Sequence, residues 1–332
     1  MLVSRFLSEW SFIDNLQENL NDMKKWMLLA VLVAGLITGA IYYFIPAQLH
    51  IASSGYVGCN ARPAALLLLE SEQWKRWWPH QTGNDTVFQQ NGFSFSVSNK
   101  SPYAADMLIK DTDGQMIVSV ANLILYKNDT TGIEWQCTLH NSANPITRFQ
   151  NYLLATRIKK SMDQLLKSFI LFANDEQHVY GVKIERERFK DTFMISSQTH
   201  FSAYPSEKNI YEHIEKLTQY AASKGASPIN PPMLNIESVD SSGYLLKLAL
   251  PISKEIPSSD SFRFRFMIQG NTLRANVTGG PQHIKNTIEQ MRLYIGDFHL
   301  SSPAIPFESL ITNRSLEKDS SKWTTNIFYP VM

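Results

Sequence analysis

The period of the apolar positions changes along this chain, and each change marks an element. From Trp26 to Ile45 the run WMLLAVLVAGLITGAIYYFI carries no charge. At about 1.5 Å rise per residue, about twenty such residues cross the ~30 Å hydrocarbon core of a bilayer. Trp26 and Tyr42-Tyr43 stand where an aromatic belt belongs, and Pro46 ends the helix. Residues 26–46 are therefore expected to be a transmembrane helix. A cleaved signal peptide is the rival, but the polar lead is long for one and no A-x-A site follows. Within residues 1–25, Phe6, Trp10, Ile13, Leu16 and Leu20 recur at helical spacing. Such an amphipathic segment lies on a membrane surface, or docks on a partner or a second copy. Arg5, Lys24 and Lys25 precede the span, and no Lys or Arg follows it until Arg62. The positive-inside rule puts the N-terminus in the cytoplasm and the remaining chain outside.

Beyond the span the period shortens to two. Residues 50–58 read as a strand and residues 63–70 as a short helix leading to Trp74, Trp77, Trp78 and Pro79. Strands over 103–110 and 115–126 flank Asp111-Thr112-Asp113-Gly114, where Asp-Gly signals a hairpin. DTDG opens like a calcium loop, but the remaining ligands are missing. Ile133, Trp135, Cys137 and Leu139 alternate with Glu134, Gln136, Thr138 and His140, which makes one face buried and the other wet. A long helix follows from near Pro145, with Phe149, Leu153, Met162, Leu165, Phe169 and Phe172 at three- and four-residue steps.

A polar break at residues 174–178 separates this region from an internal repeat. Its first half runs strand (193–203), Pro205, helix (206–224), Pro231-Pro232, strand (233–238) and strand (244–250), closing on Pro251-Ile252. The second runs strand (272–278), Pro281, helix (282–295), Pro306, strand (307–312) and strand (323–329), closing on Pro330-Val331. Tyr244, Leu246, Leu248 and Leu250 share one face, as do Phe262, Phe264, Phe266 and Ile268 on an additional strand.

Composition narrows the functional classes. A chain of 332 residues, 44% hydrophobic and 18% charged, is ordinary globular material for two units plus one apolar segment. Its net charge of +1 offers no general attraction to nucleic acid. Cys59 and Cys137 lack CxxC spacing, which leaves two buried thiols or a pair formed in an oxidising compartment. HExxH, GxSxG, P-loop and GxGxxG motifs are absent and the histidines are scattered, so neither metal nor cofactor is expected and no residue is assigned as catalytic.

Two resemblances add to this reading. IPAQLHIASSGYVGCNARPAALLLLESEQWKRWWP looks like the opening strand, paired short helices and W-x-x-W-x-P turn of START-like (SRPBCC, polyketide cyclase-like) domains. That likeness covers residues 47–173 and implies a helix-grip fold, an antiparallel sheet curved around a long C-terminal helix and a cavity, with Trp74 and Trp78 as candidate lining residues. YPSEKNIYEHIEKLTQYAASKG, PPMLN, LALPISKEIP, VTGGPQHIKNTIEQM, PFESLIT and KWTTNIFYPV resemble the GyrI-like domain, the effector-binding module of AraC-type and MerR-type regulators, over residues 179–332. This second resemblance implies a pocket glutamate, here Glu308, that pairs with cationic or hydrogen-bonding ligands, with Tyr204, Tyr244 and Tyr329 as candidates to line the cleft. Gln282 departs from the aromatic that commonly follows Gly-Pro in that family, which weakens aromatic stacking and the hydrolytic activity of some relatives. An unpaired carboxylate in an apolar cleft costs free energy, so Glu308→Gln is expected to keep or raise stability.

The expected architecture is α+β: a transmembrane helix, a helix-grip sheet with a long helix, and a duplicated β-α-β-β module. The expected function is a membrane-anchored binder of small, partly apolar or cationic molecules, for sensing, sequestration or carriage, with the bilayer as partner through residues 26–46. A hydrolase using Glu308 and a membrane-tethered scaffold are the alternatives. The sequence leaves a protein partner open.

Overall fold

The computed structural model describes residues 2–79, 88–127, 129–189, 192–239, 243–267 and 270–332. The side chains of residues 2–22 lie outside that description, and with them the amphipathic face through Phe6, Trp10, Ile13, Leu16 and Leu20; so does Ile268. Helix α1 (Leu2–Phe44) runs unbroken through the apolar segment. Within it Met23–Phe44 is long and apolar enough to cross a membrane, and none of it is buried against the rest of the chain. The helix stops two residues before Pro46, whose ring removes the N–H that the next helical bond would need.

Two compact units follow. The first comprises residues 1–55, 74–122 and 133–168; the second comprises 56–73, 123–132 and 169–332. A six-stranded sheet is built from β1 (Gln48–Val57), β2 (Phe88–Gln90), β3 (Phe93–Ser101), β4 (Ala104–Lys110), β5 (Met116–Lys127) and β6 (Thr130–His140), in the order β1-β6-β5-β4-β3-β2. The Asp111–Gly114 turn is the expected hairpin: Asp111 Oδ1 accepts from the N–H groups of Asp113 and Gln115, which spends the carboxylate on backbone. Strands β2 and β3, not placed from the sequence, turn at Asn91 and Gly92, both at positive φ (51° and 81°). Asn and Gly tolerate that left-handed region, and a two-residue hairpin of this kind needs it.

Helix α2 (Ala61–Leu69) precedes a 3-10 turn (Ser71–Arg76), and α3 (Pro145–Ala173) is the long helix. Within the first unit α3 is tied to the sheet by Ser53 Oγ donating to Asp163, Asn91 donating to Ser161 Oγ, and Arg157 lying over Phe93. The apolar stripe expected on α3 is only partly inside. Met162, Leu165 and Phe169 are buried, whereas Phe149 and Leu153, in the first turns, are exposed.

The second unit contains α4 (Glu176–Tyr180), which begins inside the polar break at residues 174–178 and is capped by Asp175. Its sheet has eight strands in the order β11-β8-β10-β9-β13-β14-β12-β7. The repeat is explicit in that order. β8 (Thr192–Phe201), α5 (Glu207–Ser223), β9 (Met233–Ser238) and β10 (Tyr244–Ile252) form one half; β12 (Asn271–Thr278), α6 (Pro281–Asp297), β13 (Phe307–Leu310) and β14 (Thr324–Val331) form the other. The halves meet at β9 and β13, and β11 (Arg263–Met267) and β7 (Ile184–Arg188) take the two edges. Helix α5 packs on β8 and β10, α6 on β12 and β14. Leu246, Leu248 and Leu250 face α5 and join Ile195, Leu217, Leu234 and Leu310 in one apolar core. Phe266 on β11 is exposed, because an edge strand is covered on one side only.

Candidate functional site

Alternation along the strands divides the second unit into two chemically distinct faces. On the α5 side, Glu308 shares a strand face with the core residue Leu310. The Glu308 side chain is 14% exposed and accepts a hydrogen bond of 2.8 Å from Nη2 of Arg314, itself only 4% exposed. The same Nη2 donates to Thr325 Oγ1 at 2.9 Å, and Nη1 lies 3.6 Å from Glu207 Oε1. The guanidinium stands 5.0 Å from the centroid of the Trp323 ring, a cation–π contact. Tyr211 fixes the loop from below: its hydroxyl accepts from the Arg314 backbone N–H and donates to Thr312 O. The cation that Glu308 was expected to await from a ligand is thus supplied here by the chain.

Two carboxylates face one guanidinium, so the formal balance of this cluster is negative by one charge. Burial raises the Glu207 carboxyl above the usual carboxylate range, Arg314 opposes the shift and Glu308 adds to it. Glu207 is the first residue of α5, where the unsatisfied N–H groups favour a negative charge. Tyr204 and Tyr244 form an edge-to-face pair at 5.3 Å. Burial, then the Glu308 and Glu207 charges, raise the Tyr204 hydroxyl pKa, although the residue as a whole remains 57% exposed. Tyr204 and Tyr244 are therefore brought together, and the Glu308 and Glu207 charges act on Tyr204. Tyr329 lies on β14, opposite Leu273 of β12, and Trp74 and Trp78 belong to the first unit. These two tryptophans are buried and stacked at 4.9 Å, and the Trp78 indole donates to Gln89 O. Glu207, Tyr211, Arg314 and Trp323 were missed from the sequence.

The opposite sheet face holds an apolar hollow of about 750 Å³. Met194, Met233, Ala249 and Phe307 reach it, with Phe266 and Met267 from the edge strand. Ser196, Gln198 and Asn235 supply hydrogen-bonding groups, and Lys247 and Arg265 supply positive charge. Among the described residues none that line it is acidic; Lys247 pairs with Glu237, which lies outside the lining. Along β10 its residues alternate with those of the core: Lys247 and Ala249 point away from α5 where Leu246 and Leu250 point toward it, while Leu248 borders both.

Both cysteines are buried free thiols, with burial the main cause of pKa values pushed up to about 12 for Cys59 and about 11 for Cys137. Thiolate chemistry is thereby suppressed. Among the described residues no group of three or more His, Cys, Asp and Glu side chains is arranged to hold a metal ion.

No protein-family model matches the chain, and no curated protein matches it. Among solved structures it is similar to the EcmrR C-terminal domain, with a TM-score of 0.40 and 13% identity over 46% of this chain and 98% of that one. It is also similar to a hydrolase from Listeria innocua, with a TM-score of 0.37 and 11% identity over 45% of this chain and 92% of that one. A third similar structure is SAV2435 bound to tetraphenylphosphonium, at a TM-score of 0.30 and 10% identity over 45% of this chain and 94% of that one.

Proposed function

We propose that this chain is a membrane-anchored binder of small, largely apolar molecules that carry an acidic or hydrogen-bond-accepting group, and that the hollow of the duplicated module holds them. The observation that carries the reading is the hollow itself. Its about 750 Å³ suits a small molecule, its lining is mostly apolar, and the charged side chains among its described lining residues are Lys247 and Arg265. The resemblance of residues 179–332 to GyrI-like effector-binding domains supports ligand binding by this module. The START-like resemblance supports a helix-grip reading of residues 47–173, in which Trp74 and Trp78 serve packing. The apolar Met23–Phe44 segment, uncharged from Trp26 onward, supports the anchor, and Arg5, Lys24 and Lys25 ahead of Trp26 favour an N-terminus in the cytoplasm with the units outside. Sensing, sequestration and carriage all need only reversible binding.

A second reading has its own observation. The excess carboxylate around Arg314, near the exposed Tyr204, favours a cationic ligand that competes for Glu308 and Glu207. An enzymatic role for Glu308 is less well supported, because a carboxylate already bonded to a guanidinium is a poor base.

Titration of the full chain in lipid nanodiscs with naphthoate and with naphthylmethylammonium separates the two. Naphthoate should bind, Ala249→Trp should fill the hollow and abolish binding, and Arg265→Ala should weaken it by about 1.5–3 kcal/mol, the worth of a charge-assisted hydrogen bond. Glu308→Gln should leave naphthoate binding unchanged. Tighter binding of the ammonium compound, lost in Glu308→Gln and kept in Ala249→Trp, would replace the first reading by the second.

A further inference from the structure

The first turns of α3 present an apolar face that the first unit does not cover. Ile146, Phe149 and Leu153 follow an i, i+3, i+7 spacing, with Tyr152 beside them, and all four are exposed, Ile146 to 69%. From Ala155 onward the same helix buries Ala155, Ile158, Met162, Leu165, Leu166 and Phe169, with Leu171 near its end exposed. Scattered apolar residues on a surface are ordinary, but a contiguous face on one helix requires a medium.

The end of α1 indicates what that medium is. Tyr42 donates from its hydroxyl to Ala143 O, and the Arg148 guanidinium donates to Ile45 O at 2.8 Å from Nε while lying 4.8 Å from the Tyr42 ring centroid. Asn141 adds two bonds, from its side chain to Pro46 O at 2.7 Å and from its backbone N–H to Ala47 O at 2.9 Å. These contacts lie within one compact unit and hold the start of α3 beside the last turn of α1. The apolar run ends there, at Pro46-Ala47-Gln48, so the last turn of α1 belongs at the boundary between hydrocarbon and water. Tyr43 and Phe44, in the same last turn of α1, are exposed as well. Residues 141–156 contain a single charged side chain, Arg148, and its guanidinium is spent on the junction. Tyr, Phe, Leu and Ile with few charges are what the interfacial layer of a bilayer accepts.

We infer that Ile146, Phe149, Tyr152 and Leu153 are a second membrane contact, set into the interfacial layer of the same bilayer that α1 enters. The inference rests on the reading of α1 as a span. Two points of attachment fix the tilt of the first unit on the membrane, where one helix alone would leave it free to swivel.

Nitroxide labels on the full chain in phosphatidylcholine vesicles test it, at Ile146→Cys, Leu153→Cys, the exposed Lys160→Cys further along α3, and Leu36→Cys within α1; the two native thiols are buried. Labels at 146, 153 and 36 should be relaxed more by oxygen, which concentrates in lipid, and the label at 160 more by a water-soluble nickel chelate. A nickel response at 146 and 153 like that at 160, with 36 still in lipid, would overturn the second contact and leave the span standing. Shielding of 146 and 153 from both reagents would overturn it too, since protein would then cover the patch. A nickel response at 36 would remove the span, and with it the premise.

Discussion

Leu234 and Glu308 face each other across the centre of the eight-stranded sheet, paired through their Cα atoms on β9 and β13. They are equivalent positions in the two halves of one repeat, and their surroundings differ. Leu234 closes the apolar core beneath α5, while Glu308 receives Arg314, with Glu207 from the first half on the other side of the guanidinium. The helices differ in the same sense. Helix α5 opens with a full capping box, Ser206 and Asn209 bonding each other's backbone, and α6 opens on Gly280-Pro281 with no side-chain cap. The backbone plan is thus set by what the halves share, and chemistry enters where one departs from the other. A local rule broken without an evident structural gain is where function is best sought.

The largest expected effect comes from breaking the charged cluster. Arg314→Met should destabilise the folded chain by about 3–5 kcal/mol, because it leaves two carboxylates near each other without their cation. Urea unfolding of the full chain, read by the midpoint at unchanged slope, measures it. Leu234→Ala should cost about 2–5 kcal/mol through the cavity it opens in the other half. The informative variant is the double change Glu308→Leu with Arg314→Met, which gives the second half the apolar character of the first. It should recover most of the loss, since apolar replacements of buried ion pairs are often neutral or better. No recovery in the double variant would mean that the cluster holds the halves together and is structural.

Glu308→Gln comes next, and here the structure reverses the expectation drawn from sequence. An unpaired carboxylate would be relieved by the change; one bonded to Arg314 is not. Loss of that charge should cost about 1–3 kcal/mol, with the amide oxygen still able to accept from Nη2. A variant as stable as the parent would show that Glu207 alone satisfies Arg314.

The source of that reversal marks the limit of reading this sequence. The repeat was legible because Pro205, Pro281, Ala-Leu-Pro-Ile and Phe-Tyr-Pro-Val recur in register and the strands between them alternate. Glu308 was legible through its place in that repeat. Arg314 was not, since a single cation in a loop beyond β13 has no period, and its partner Glu207 lies more than a hundred residues earlier. Strand β2 has three residues, too few for alternation to register, although the Asn91-Gly92 turn after it was a readable signal. On α3 the spacing of Phe149 and Leu153 was recognised, but spacing does not say whether protein or lipid covers an apolar face.

The smallest effect separates the two carboxylates that share Arg314. Glu207 has a folded-state pKa above the ordinary 4.5, raised first by burial and then by Glu308, with Arg314 opposing. A carboxyl that binds its proton more tightly when folded penalises the fold wherever it is ionised in both states. That penalty is fully present above the raised pKa and fades as pH falls through it toward 4.5. Glu207→Gln removes the penalty, so the variant should be more stable than the parent near neutral pH, and the gap should close as pH is lowered toward about 4.5. The exposed Glu185 and Glu289 have lowered pKa values, held by ion pairs, and act in the opposite sense. They are common to both chains, so the difference between parent and variant isolates Glu207. Urea midpoints of the two chains at several pH values supply that difference. A gap that stays constant or widens as pH falls would mean that Arg314 outweighs burial at Glu207, and that this carboxylate, with Glu308, is the settled partner of the guanidinium.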